Sequence, residues 1–350
     1  MYFNLKNLFI RGDSECVDSS SLNEDKRPYE IVSSSFSIES CGFWRFTTFT
    51  GNGGIIFAEI KSISVKIKQT MFFCVNSKAS GGVIYVKIEE KSSILLNSVC
   101  SESCTCGISC FGQFIYLKSD DPDTKISYQH FSLSGKAENA QYGTSPLSLY
   151  LCSLSLTNSN ISKSHSFYNS VLTHYIGVDI HVSYSDFFKN FASYSSLTVF
   201  NTGDGDISNI NMIMSSQESI IESHIMVTSD LPFWTRASVF KNNTKHLFAS
   251  FKAKLYVESC YIIHNEGEDI YFANVQILNQ ASTESVIQNS VSVHCYEVKP
   301  IKQFNWLLLI IIGSLIIIIP GGVYVITTFL GEKSAREQLL MGKQIVIEFG

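Results

Sequence analysis

From Tyr29 onward, short apolar runs recur along the chain with no long amphipathic helix between them. They include Tyr29–Val32, Ile55–Ile60, Ile63–Ile67, Gly82–Ile88, Phe114–Leu117, Leu147–Leu156 and Leu255–Ile263. Several alternate strictly. Ile63, Val65 and Ile67 fall on one side of an extended chain, and Ser64, Lys66 and Lys68 on the other. Side chains of a strand point to opposite faces in turn, so a period of two predicts strands with one buried face.

Two short patterns repeat through these runs. Gly53-Gly54-Ile55-Ile56-Phe57 returns as Gly81-Gly82-Val83-Ile84-Tyr85, and more loosely as Gly112-Gln113-Phe114-Ile115-Tyr116. The second pattern sets a large apolar residue shortly before an asparagine. It joins Phe73 to Asn76, Phe187 to Asn190 and Phe240 to Asn243, then ends at Asn265 and Asn289. Recurrence at intervals of roughly 20 to 30 residues is the mark of a solenoid. No segment holds a 3.6 period for paired helices, and the leucine-rich frame is missing. An all-β fold is predicted, a parallel β-helix in which each coil stacks on the last. Stacking would turn one aromatic per coil into a buried ladder, put Asn at a corner in the left-handed region, and use glycine for positive φ.

The pattern breaks near the end. The whole stretch from Gln303 to Gly331 carries no charge, and Lys302 and Glu332 bound it. About 20 apolar residues suffice to cross a bilayer as a helix, so a transmembrane helix over 303–331 is predicted, with the lipid bilayer as its partner. Trp306 and Tyr324 stand near its ends. The implied organisation is an irregular N-terminal cap at 1–28, a β-helix domain at 29–298, the span, and a short tail at 332–350.

Composition narrows the function classes. A net charge of −5 with a sequence pI near 5.9 argues against a nucleic-acid partner, which calls for a basic face. All ten cysteines precede the apolar stretch, which fits an oxidising compartment on that side of a membrane. Asn160 and Asn242 head N-x-S/T sequons and are candidate glycosylation sites. The opening MYFNLKNLFIRG has no unbroken apolar run of signal-peptide type. Two topologies follow: an extracellular N-terminal domain, or insertion through the C-terminal span with that domain in the cytosol.

The Gly-Gly-x-Ile and Phe-x-x-Asn tetrapeptides resemble those of chlamydial polymorphic outer-membrane proteins, and more closely the related β-helical surface proteins of trichomonad parasites. The resemblance covers roughly residues 30–350. It implies a right-handed, pectin-lyase-like β-helix ectodomain, one C-terminal transmembrane helix and a short cytoplasmic tail. It also implies plasma-membrane display and adhesion to a host cell, matrix or glycan. The chain departs from the family in its missing signal peptide and in Gly-Gly motifs confined to its N-terminal half.

Few residues carry candidate chemistry. Cys100, Cys104, Cys106 and Cys110 form a dense cluster, at a spacing that favours a disulfide-stapled corner over a zinc site. Asp204 and Asp206, in Gly-Asp-Gly-Asp, resemble the paired acids of polysaccharide-cleaving β-helices. A membrane-tethered lyase or hydrolase is therefore the alternative to a non-catalytic adhesion module. Asp120, Asp121 and Asp123 read as a turn, and Leu231–Trp234 either as a loop insertion with protruding aromatics or, in preference, as aromatics packed over an adjacent coil. No histidine pair at ligand spacing, phosphate loop, nucleophile elbow or dinucleotide fingerprint occurs, so no metal or cofactor is expected.

Overall fold

A computed structural model describes residues 2–4, 28–39, 41–44, 46–48, 51–107, 110–135, 143–201, 203–218, 223–263, 265, 271–272 and 274–282. The chain divides into two units, Met1–Cys295 and Tyr296–Gly350. The stretch 303–331, the tail, Asn289 and most of the 1–28 cap lie outside the described residues. Among the described residues no helix is long and apolar enough to cross a membrane.

Every regular element described is a strand, and every described pairing is parallel. One ten-stranded sheet takes a single strand from each coil, beginning at Tyr29–Glu30 and ending at Tyr271–Phe272. A seventeen-stranded sheet forms two further bands, leading and trailing, that meet at a corner. The strand Tyr2–Asn4 pairs with Ser35–Glu39 at the edge of the leading band. The fold is thus a parallel β-helix of the right-handed type that parallel crossovers favour.

The predicted alternation sets the inside and outside. Val65 and Ile67 of Ser64–Phe73 are buried, while Lys66 and Lys68 are not. Inward residues stack into columns that run the length of the solenoid. One column of the trailing band passes through Phe43, Phe72, Ser101, Leu133, Ile161, Phe187, Met212, Phe240 and Ile262. Phe43 and Phe72 stack at 5.2 Å with nearly parallel rings. Each fully buried Phe, Leu or Ile contributes about 1.5–3 kcal/mol through removal from water, so the columns are the main source of stability.

The glycine repeat serves close coil contact. Gly53, Gly81 and Gly112 have φ of 73°, 69° and 72°, where a side chain would be strained. A Cβ on Gly54 would meet the carbonyl of Gly82, and one on Gly82 the carbonyl of Gln113. The amides of Gly54 and Gly82 instead donate to Gly81 O (3.2 Å) and Gly112 O (2.9 Å) in the next coil.

The asparagine repeat is a hydrogen-bond clamp between coils. A corner column runs Ser164, Asn190, Ser215, Asn243, Asn265. The Asn190 carboxamide accepts from Ser164 N (3.0 Å) and donates to Ile161 O (2.8 Å). Asn243 accepts from Ser215 N (2.9 Å) and donates to Met212 O (2.9 Å). Asn265 accepts from Asn243 N (3.0 Å) and donates to Phe240 O (3.1 Å). Each side chain reaches back one coil and satisfies backbone groups that the turn leaves open. The left-handed residue is the one before the column position: Lys189, Met214 and Asn242 precede Asn190, Ser215 and Asn243 and have φ of 52°, 55° and 55°.

Phe73 and Asn76 fall outside this arrangement. Phe72 occupies the inward column, and Phe73 is in register with Glu102 on the outer side. Val75 therefore takes the clamp position. Asn76 pairs with Thr47 and Thr105, and its Oδ1 is buried without a partner. The two adjacent phenylalanines shift the apparent motif by one residue.

Replacing Asn243 by alanine leaves Ser215 N and Met212 O without their partners, and is expected to cost about 1–3 kcal/mol. Asn76→Ala removes no hydrogen bond from Oδ1 and is expected to cost less. Urea unfolding of the full chain in detergent, followed by tryptophan fluorescence, compares the two. Equal losses would show that the clamp adds nothing special.

Candidate functional site

The register that buries one set of side chains also lines up the outward ones. On the leading band Ser155, His181, Asp206, Trp234 and Tyr256 are consecutive partners in one outer row. Ser183, Ser208, Arg236 and Glu258 form the parallel row two residues on. Inward neighbours anchor the strands: Ile180, Val182, Ile207, Phe233, Leu255 and Val257 are all buried.

The side chains in these rows engage one another. His181 Nδ1 lies 2.5 Å from Asp206 Oδ1, and the Ser208 hydroxyl donates to Asp206 Oδ2 at 3.1 Å. Trp234 stacks on Tyr256 with ring centroids 4.6 Å apart. The Arg236 guanidinium lies 4.1 Å from the Trp234 ring centre, and its Nε is 3.4 Å from Glu258 Oε2. Across four coils the two adjacent rows thus carry an imidazole beside a carboxylate in one, and a guanidinium beside a carboxylate in the other. All remain accessible, with side-chain exposures of 55%, 29%, 45% and 40%.

A second outward feature lies on the ten-stranded sheet. Phe57 stacks on Tyr85 at 5.4 Å, and Tyr85 on Tyr116 at 5.3 Å. Further on, Tyr175 stacks on Phe200, and Tyr168 stacks on Tyr194 just ahead of the strands Asn169–Gly177 and Ser195–Asn201. These rings turn their faces to each other. Burial, with the Glu59 carboxylate beside it, pushes the Tyr85 phenol up to about 12.

The remaining candidates separate. Asp206 stands in the outer row with His181. Asp204 precedes that strand, and its carbonyl accepts from Ile180 N at 3.1 Å. Asp121 Oδ1 accepts from Asp123 N (2.8 Å) in a turn, and Asp123 meets Lys91 at 3.5 Å. Leu231–Trp234 is not a loop insertion. It leads into the strand Phe233–Arg236, with Phe233 buried and Trp234 outward. Asn242 holds a left-handed corner. Asn160 lies in a trailing strand with its Oδ1 buried and unpartnered.

The cysteine cluster also divides. Cys106 and Cys110 form a disulfide, against which Gly143 packs. Cys100 is also disulfide-bonded, as is Cys41. Cys104 is a free thiol pushed up to about 12, chiefly by burial. Among the described residues no group of three or more His, Cys, Asp or Glu is placed to hold a metal ion.

Two buried histidines were not singled out by spacing. His174 Nε2 lies 2.8 Å from Cys152 O, while Nδ1 has no partner. His224 lies between Ser196 Oγ (2.8 Å) and Thr244 O (2.5 Å). Burial lowers both to about 4, against a small opposing effect of the carbonyl contact. The only signal in the sequence is that each sits where an apolar residue would keep the inward pattern.

No family model matches this chain, and no curated protein or solved structure matches it significantly.

The buried imidazoles predict an acid-sensitive fold. Their folded pKa lies below the ordinary 6.5, so the unfolded chain binds more protons between the two values. The stability they allow is fully present above about pH 6.5 and is lost as pH falls toward 4. Melting temperatures of the full chain should drop across that window. A flat profile from about pH 7 to 4.5 would overturn the assignment.

Proposed function

We propose that this protein is a non-catalytic, single-pass cell-surface rod that mediates adhesion to a host cell, matrix or glycan. The observation that carries the reading is the outer row from His181 to Tyr256. It lines up charged and aromatic side chains, still accessible, that the packed interior does not require. Exposed residues of this kind in a rigid setting are typical of binding surfaces. The uncharged stretch 303–331 supplies the anchor in this reading. The Cys106–Cys110 disulfide supports an oxidising, extracellular setting for the β-helix domain. The trichomonad resemblance of the repeat motifs points the same way.

A second reading has one observation in its favour. The His181–Asp206 pair puts a carboxylate and an imidazole together on a solvent face, as cleavage of a polysaccharide through Asp204 and Asp206 would use. The two readings differ in product. The adhesion reading expects no new reducing or unsaturated ends when the chain is incubated with neutral and acidic polysaccharides. Ends that appear with the parent chain and vanish in Asp206→Asn would replace it with the enzymatic reading.

Expression of the full chain on a non-adherent cell tests the adhesion reading directly. Attachment to cultured host cells should rise several-fold, and protease added outside intact cells should remove the β-helix domain and the attachment together. Equal attachment with and without the chain, or a domain protected from external protease, would reject it.

A further inference from the structure

We infer that the strip formed across two adjacent outer rows, by His181 and Asp206 in one and by Arg236 and Glu258 in the other, is a subsite for an uncharged polyhydroxylated ligand, a neutral glycan lying along the solenoid axis. The inference rests on the adhesion reading and names its ligand chemistry.

The mixture of hydrogen-bond donors and acceptors is what selects the ligand. The strip sets the His181 imidazole against the Asp206 carboxylate in one row and the Arg236 guanidinium against the Glu258 carboxylate in the next. An anionic chain of uronates or sulfates would meet two carboxylates at close range. A cationic peptide would meet the guanidinium. A hydroxyl both donates and accepts, so neighbouring hydroxyls of one sugar match the Glu258 carboxylate and the Arg236 guanidinium together, and likewise a carboxylate beside an imidazole. The Ser208 hydroxyl beside Asp206 extends the same pattern.

Geometry sets the orientation. Stacked coils lie about 4.8 Å apart, so the four coils from His181 to Glu258 span roughly 14 Å along the axis. That is a strip for a short oligosaccharide rather than a pocket for one sugar. The Trp234 face toward Tyr256 is covered, and Arg236 lies over the ring. The aromatic pair therefore acts as a rigid support that holds the guanidinium in place, and polar contacts supply selectivity. The ladder Phe57, Tyr85, Tyr116 is a poorer site for the same ligand, because its rings cover one another.

The test uses the full chain in detergent micelles, with immobilised maltohexaose, cellohexaose and chitohexaose as neutral probes. Hexagalacturonate and a sulfated heparin hexamer serve as acidic probes. At least one neutral probe should bind and both acidic ones should bind more weakly. Arg236→Ala and Asp206→Asn should each weaken the neutral interaction by about tenfold or more, as expected for loss of a charged hydrogen bond. Lys61→Ala, which breaks an exposed pair with Glu90 elsewhere, should leave binding unchanged. If Arg236→Ala also lowers the melting temperature, Glu258→Gln repeats the test with the stacked guanidinium retained. Preference for the acidic probes, absence of neutral binding, or neutral binding indifferent to both row variants would overturn the inference. Host-cell attachment that persists in Arg236→Ala would remove this subsite and leave the adhesion reading standing.

Discussion

The described β-helix depends throughout on the parallel backbone ladder between successive coils. Each coil gives its amides and carbonyls to its neighbours, so residues one coil apart are fixed about 4.8 Å from one another. The ladder by itself specifies no particular sequence. It makes whatever occupies one position meet whatever occupies the same position in the next coil. A phenylalanine inside becomes part of a column, an asparagine at a corner becomes a clamp, and a histidine outside meets an aspartate. Core, corners and candidate site are three outcomes of one constraint.

The corners show what the constraint costs. Between the leading and trailing bands the chain turns on one left-handed residue per coil. Gln69, Ser98, His130, Asn158, Tyr184, Asn209, Ala237 and Ser259 hold φ between 44° and 55°. None is glycine, and each conformation costs about 1–2 kcal/mol. The ladder offsets it, because corner amides still bond to the next coil: Asn209 N reaches Arg236 O at 3.0 Å, and Ala237 N reaches Glu258 O at 2.9 Å. A corner that fits the ladder is tolerated whatever its side chain, so no one residue type marks it.

This explains which parts of the structure were legible in the sequence. The alternation of Ile63, Val65 and Ile67 was legible because burial on one face demands a period of two. Gly54 and Gly82 were legible because only glycine avoids the next coil's carbonyls, and Gly53 and Gly81 because their positive φ sets a Cβ against the carbonyl three residues on. The clamps Asn190, Asn243 and Asn265 were legible as a spacing, although their backward reach was not. The left-handed corners were not legible, since Gln, Tyr and Ala carry no turn signature. Phe73 and Asn76 misled because Phe72 and Phe73 both satisfy the pattern and only the register tells them apart.

The outer row was the least legible part, for a reason that bears on its meaning. His181 and Asp206 are far apart in sequence and meet only because their strands pair in register. Coil lengths vary. The step from Ile56 to its partner Ile84 is shorter than the step from Ile84 to Ile115, so no fixed sequence offset predicts such a meeting. The interior tolerates this variation, because any apolar residue serves at an inward position. The exterior has no such degeneracy: one residue of slip on a strand would send His181 inward and leave the Asp206 carboxylate without it. Variable loops can therefore lengthen or shorten a coil without disturbing the core, provided the strand returns in the same phase. A chain that keeps phase across Ile180–Ser183, Gly205–Ser208, Phe233–Arg236 and Leu255–Ile263 holds His181 against Asp206 and Arg236 against Glu258 on its outside. Solenoid stability rests on the ladder, the inward columns and the corner clamps, so the ordered outward face is where a binding function has room to reside.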